Sequence, residues 1–96
     1  MKRFDELNLK ESEILWQTIE MAIQNAPITR ADIEAYMSDS LGFDNIEHIL
    51  DSALDRCDVT FKDENGKFDW DLYGDFIDDF GQEAFLLFID RIESYL

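Results

Sequence analysis

The chain has 96 residues, of which 23 are acidic and 8 basic, a formal net charge of -15, with 46% of positions hydrophobic and 14% aromatic. That length supplies one small core and the aromatic share can fill it, so a single folded domain over 1–96 is expected rather than a disordered acidic tail. Charge repulsion excludes DNA, RNA and anionic lipid as direct ligands and leaves basic proteins and cations.

The first predicted helix runs from about Glu11 to Ala26, with Leu15, Ile19, Ala22, Ile23 and Ala26 at helical spacing and Pro27 as its stop. Thr29 and Asp32 form a capping pair for the second, which carries Ile33, Tyr36, Met37 and Leu41; Ile28 and Ile33 are placed for a hydrophobic staple, and Gly42 suits a left-handed exit. Asp44 and Glu47 are expected to cap the third, whose apolar stripe is Ile46, Ile49, Leu50, Ala53, Leu54 and Cys57 and whose end lies near Asp58. A fourth helix is expected over about Asp71 to Phe80, closed by Gly81, and a fifth from Gln82 onward. The fifth is apolar nearly all round in AFLLFI, which suits a core element and leaves a homodimer through its spare side as an alternative use.

Between the third and fourth helices lies FKDENGKFDWDL, residues 61–72. With Gly66 at the sixth position, Asp63, Asn65, Lys67, Phe68 and Asp69 fall on the third, fifth, seventh, eighth and ninth, and the stretch resembles an EF-hand calcium loop over a dozen residues. Phe61 stands where the first aspartate belongs and Leu72 where the bidentate glutamate belongs, which removes about half of the six to eight oxygens calcium takes. Asn65-Gly66 instead signals a two-residue turn in a hairpin over about 59–70. That turn sets Glu64 against Lys67, Lys62 against Asp69 and Phe61 against Trp70. The fold class is thus mainly α with one β-hairpin: three helices, a two-stranded ribbon, then two C-terminal helices. This order across residues 11–72 resembles that of a winged-helix domain, a family that usually binds DNA through its third helix.

The third helix is wrong for DNA, because Asp44, Glu47, Asp51, Asp55 and Asp58 occupy one arc opposite its apolar stripe, with only Arg56 nearby. The fourth helix repeats the pattern, with Asp71, Asp75, Asp78 and Asp79 on one side and Tyr73, Phe76, Ile77 and Phe80 on the other. Like charges one turn apart cost roughly 0.2 to 0.5 kcal/mol per pair, so stability alone would not select such faces. Carboxylates repeating every turn, ~5.4 to 6 Å apart, approach the spacing of phosphates along a strand and can stand in for a nucleic-acid backbone. Adaptation to high salt produces a similar excess of acid.

The expected function is therefore a non-enzymatic acidic binding protein. It would occupy the basic surface of a nuclease or other nucleic-acid-binding protein, as antagonists from phage or mobile elements do against host defence. The expected contacts are Asp71, Asp75, Asp78 and Asp79 with Asp44, Glu47, Asp51 and Asp55, and Trp70 and Tyr73 as aromatic anchors. The alternatives are an immunity protein that neutralises a nuclease toxin, a winged-helix-like module docking on protein in transcription, and a weak calcium-binding module. No cofactor and no catalytic constellation is expected. His48, between Asp44 and Asp51, is expected to pair with a carboxylate, and that trio is only a loose metal-ligand set. Cys57, the single cysteine, reads as core filler in a reducing compartment. With no apolar run long enough to span a bilayer, the expected location is cytoplasmic.

Overall fold

A computed structural model describes all 96 residues. It is mainly helical, with a small two-stranded sheet: β1 (Lys2–Arg3), α1 (Leu9–Asn25), α2 (Arg30–Met37), α3 (Glu47–Arg56), β2 (Val59–Thr60), α4 (Trp70–Phe76) and α5 (Gln82–Glu93). The first helix starts earlier than its apolar spacing implies, because Asn8 caps it. The Asn8 side chain accepts the Glu11 N–H at 2.8 Å while Glu11 accepts the Asn8 N–H at 3.1 Å. Leu15, Ile19 and Ile23 bring its apolar stripe into the core, where α1 packs on α3 and α5.

The Thr29–Asp32 capping box forms as expected. Asp32 also ties α2 to the next turn, since its carboxylate accepts the Thr29 N–H and the Asn45 amide, both at 3.1 Å. Burial works to raise the Asp32 pKa. The Thr29 N–H, the Asn45 amide, the Thr29 hydroxyl and the charge of His48 together outweigh it and hold the carboxyl below its ordinary 3.8. A depressed carboxyl stabilises the fold above its unfolded-state pKa, and this contribution is lost as pH falls through the folded value. Asp32→Asn is therefore expected to lower stability by roughly 1 kcal/mol at neutral pH, as for a damaged cap. Urea midpoints against pH should show the two proteins converging below the ordinary carboxyl value; a constant gap would remove the charge from the explanation.

Helix α2 ends at Met37, and its left-handed exit is Asp39 (φ 57°), not Gly42, whose φ is -138°. The expected Asp44–Glu47 capping pair does not form. A short 3₁₀ turn, Phe43–Asn45, intervenes, and it is Asn45 that accepts the Gly42 N–H at 3.0 Å while α3 begins at Glu47 without a side-chain cap. Helix α3 stops at Arg56, and Asp58 takes the left-handed conformation (φ 57°) that leads into β2.

The chain turns back at Asn65-Gly66, but in a register one residue from the expected one. Lys62 faces Phe68, Asp63 donates its N–H to the Lys67 carbonyl, and Phe61 accepts from Asp69, both bonds at 2.8 Å. The loop holds three residues because Gly66, with φ of 79°, adds a left-handed bulge after a turn closed by its N–H on the Asp63 carbonyl. Asp63 fixes this by accepting the Asn65 and Lys67 N–H groups on one carboxylate oxygen, each at 2.9 Å. The ribbon is only one antiparallel bridge long. The sheet proper is parallel, Lys2 against Val59 and Arg3 against Thr60, and carries Phe4 onto the core.

Nor does Gly81 close a helix. Phe76, Ile77, Gly81 and Gln82 all keep right-handed helical dihedrals, and the five residues Ile77–Gly81 form a π-turn that joins α4 to α5. The result is one rod from Trp70 to Glu93, about 36 Å long at 1.5 Å per residue. Gly81 is buried, and the Ile77 Cδ1 lies 2.9 Å from where its Cβ would be, so this glycine sits inside the rod rather than at its termination. Helix α5 buries Ala84, Phe88 and Ile92, while Leu86 remains exposed, so it is two-sided and not buried all round.

Phe76 lies at the centre, fully buried, in ring contact with Phe4, Phe61, Tyr73 and Phe80 at centroid distances of 5.4 to 6.0 Å. Gly74, two residues earlier, is exposed and has open space where a Cβ would go. Gly74→Ala is expected to stabilise the protein by about 0.5 to 1 kcal/mol through backbone entropy and helix propensity, read from urea midpoints at unchanged m.

Candidate partner-binding surface

The eight carboxylates expected to contact a partner are all exposed: Asp44, Glu47, Asp51, Asp55, Asp71, Asp75, Asp78 and Asp79. Four ion pairs form within the chain, Lys2–Glu11, Arg3–Asp5, Arg3–Asp69 and Arg30–Glu34, and none involves these eight. The paired cations, Lys2, Arg3 and Arg30, lie near the N-terminus and on α2, and the eight carboxylates are left without direct pairing.

The surfaces do not merge. Glu47, Asp51 and Asp55 of α3 form one wall of a groove of about 440 Å³, across from Trp70 and Tyr73 of α4, over a floor that includes Leu54, Val59, Phe61 and Phe68. Helical geometry makes this wall: positions 47, 51 and 55 are four apart on one face, while Ile49, Leu50, Ala53 and Leu54 go inward. Asp44 precedes the helix and Asp58 follows it, so neither shares its periodicity. Asp58 instead borders a separate depression with Lys2, Glu11 and Arg56.

Asp75, Asp78 and Asp79 border another hollow, with Asp5, Leu7, Leu72 and Phe80. Asp71 lines neither this hollow nor the groove. Asp78 and Asp79 belong to the π-turn, whose extra residue changes the phase of the helix after Phe76. Trp70 and Tyr73 of α4 share a hollow with α3, and Asp75 shares one with the N-terminal segment.

Trp70 is 73% exposed yet not free of neighbours, since its ring meets Phe68 at 4.6 Å and Tyr73 at 6.2 Å in a near-perpendicular arrangement. It starts α4 rather than facing Phe61 across a ribbon, because Asp69 caps that helix by accepting the Leu72 N–H at 3.1 Å. Asp69 meets Arg3 at 3.4 Å rather than Lys62, which opens onto the groove instead. Burial and the nearby Asp51 and Glu47 carboxylates push the Tyr73 phenol above its ordinary pKa of 10.0, the expected response of an acid in a negative field. Lys62, Phe68 and Asp5 are surface members that sequence reasoning missed. The one available signal was the three-residue turn at Gly66, which moves Lys62 and Phe68 opposite each other.

His48 makes no ion pair with Asp44 or Asp51; it faces a depression with Met21, Asn25, Ser52 and Arg56 near the end of α1. No three His, Cys, Asp or Glu side chains converge as a metal site would require. The oxygens of the calcium-like loop have other partners, Asp63 on backbone N–H groups and Asp69 on Arg3 and the α4 terminus. Cys57 is half-buried just beyond α3 with its Sγ 3.5 Å from Thr18 Oγ1. No helix is long and apolar enough to cross a membrane. Compared with protein-family models, curated proteins and solved structures, the chain matches none.

Proposed function

We propose that this chain is a non-enzymatic binding protein that occupies the basic, nucleic-acid-binding surface of another protein. The observation that carries the reading is the exposure of eight carboxylates on α3, α4 and their flanking turns without one ion pair to the chain's own cations. Their mutual repulsion is retained in the folded protein, and a cationic receptor relieves it on binding. An antagonist of a defence nuclease fits this chemistry best, and an immunity protein against a nuclease toxin uses the same contacts.

The test is competition. Basic nucleic-acid-binding proteins retained on the immobilised chain at low salt should be displaced by duplex DNA and by rising salt, because all three act on the same cationic surface. Replacing the eight carboxylates with their amides should abolish retention while the circular dichroism spectrum persists. Retention that neither DNA nor salt disturbs would sink the reading and favour a hydrophobic dock.

A further inference from the structure

The groove between α3 and α4 differs from the other acidic surface in having an aromatic wall. Three carboxylates, Glu47, Asp51 and Asp55, face Trp70 and Tyr73 across about 440 Å³, and Lys62 at the rim is the only cation lining it. Three negative charges against one positive leave the groove with two in excess. The Trp70 ring is largely open to solvent and packs on Phe68 and Tyr73.

We propose that this groove receives an arginine side chain from an extended basic segment of the partner protein, the guanidinium stacking on Trp70 and donating to the α3 carboxylates. The inference rests on the proposed function and narrows it: α3 and Trp70 form the specific pocket, whereas Asp75, Asp78 and Asp79 supply longer-range attraction. Charge complementarity selects a cation, and the flat ring beside carboxylates selects a planar one. A guanidinium can stack on an indole while its edge donates two parallel N–H bonds to one carboxylate, and an ammonium has no such plane. A nucleotide's base can stack on the ring, but its phosphate would meet the α3 carboxylates.

The test uses the full-length protein with oligoarginine, oligolysine and oligocitrulline peptides of equal length, titrated at low salt and followed by the indole N–H resonances of Trp70 and Trp16. Oligoarginine should shift the Trp70 resonance and leave that of Trp16, which stacks on Phe80 elsewhere, in place. Oligolysine should bind more weakly and oligocitrulline not at all. Trp70→Ala should weaken oligoarginine binding about 10-fold, a loss in the range of a partly desolvated cation–π contact. Glu47→Gln with Asp51→Asn and Asp55→Asn should weaken it further, and Lys62→Gln should tighten it, an effect no loss of folding can produce. If oligoarginine binds but Trp70→Ala and Lys62→Gln leave its affinity unchanged, the groove assignment is overturned while the acidic-surface reading stands. If oligoarginine and oligolysine both fail to bind at low salt, both are overturned.

Discussion

Replacing Phe76 with alanine is expected to cost about 3 to 5 kcal/mol, the range for removing a fully buried aromatic ring. The size follows from position: Phe76 is wholly excluded from solvent and its ring meets those of Phe4, Phe61, Tyr73 and Phe80, which come from three different parts of the chain. The N-terminal segment, the turn after β2 and the α4–α5 rod all lose a common neighbour at once. A domain of this size holds only about 5 to 15 kcal/mol in total, so the variant should sit near its folding threshold. Its melting temperature should fall by at least ~12 °C at 4 °C or more per kcal/mol. Phe85→Ala provides the contrast, since Phe85 is half-buried and its one ring contact is Phe43, at 5.0 Å. Urea denaturation of the two variants should separate them clearly; a Phe76→Ala loss under about 1 kcal/mol would mean the aromatic cluster is not the keystone.

Arg91→Ala is expected to cost about 2 to 3 kcal/mol, on the scale of hydrogen bonds to a charged group. Arg91 projects from α5 to the end of α1, where its Nη1 donates to the Ile23 carbonyl at 2.8 Å and to the Ala26 carbonyl, and its Nη2 approaches the Tyr95 hydroxyl at 3.4 Å. Helix α1 has no basic residue in its own last turn, so the cation that offsets its C-terminal carbonyls comes from another helix. Pro27 prevents α1 from continuing, and Arg91 supplies the partners that a longer helix would have offered. Arg91→Lys should recover less than half of the loss, because an ammonium is more strongly hydrated than a guanidinium and has no second nitrogen to reach Tyr95. Arg91→Met keeps the aliphatic stem and separates lost packing from lost hydrogen bonds. If Arg91→Met matched the native protein in a urea melt, the interhelical cap would have no energetic role.

These two residues bear on the acidic surfaces in opposite ways. Phe76 fixes α4 so that Trp70 and Tyr73 face α3. Arg91 is one of only eight basic residues, and it is committed to backbone carbonyls rather than to a carboxylate. Arg3 and Arg30, too, are spent away from Glu47, Asp51 and Asp55. The placement of cations therefore matters as much as their scarcity in keeping the α3 face negative.

Local chemistry in the sequence was enough for the buried faces of the three helices before residue 57, though not for all of their ends. Leu15, Ile19 and Ile23, and Ile49, Leu50, Ala53 and Leu54, repeat at helical spacing and are the residues buried, because an apolar stripe can be satisfied only by turning inward. The Thr29–Asp32 box, the exposure of the eight carboxylates and the reversal at Asn65-Gly66 were also legible, since each depends on neighbours within a few residues. Contacts distant in sequence leave no such periodic trace. The parallel pairing of Lys2–Arg3 with Val59–Thr60, the Arg91 cap on α1, and the passage of the rod through Gly81 by a π-turn all depend on which segments meet in space. So does the separation of the two acidic surfaces, which sequence spacing placed on two similar helices. The phase of α4 against α3 sends Trp70 and Tyr73 toward one set of carboxylates and turns Asp75, Asp78 and Asp79 away. Composition and periodicity determined what each helix must bury and expose. Tertiary packing alone decided which exposed faces share a groove, because relative helix rotation is set by interlocking side chains from distant segments and not by any one segment's pattern.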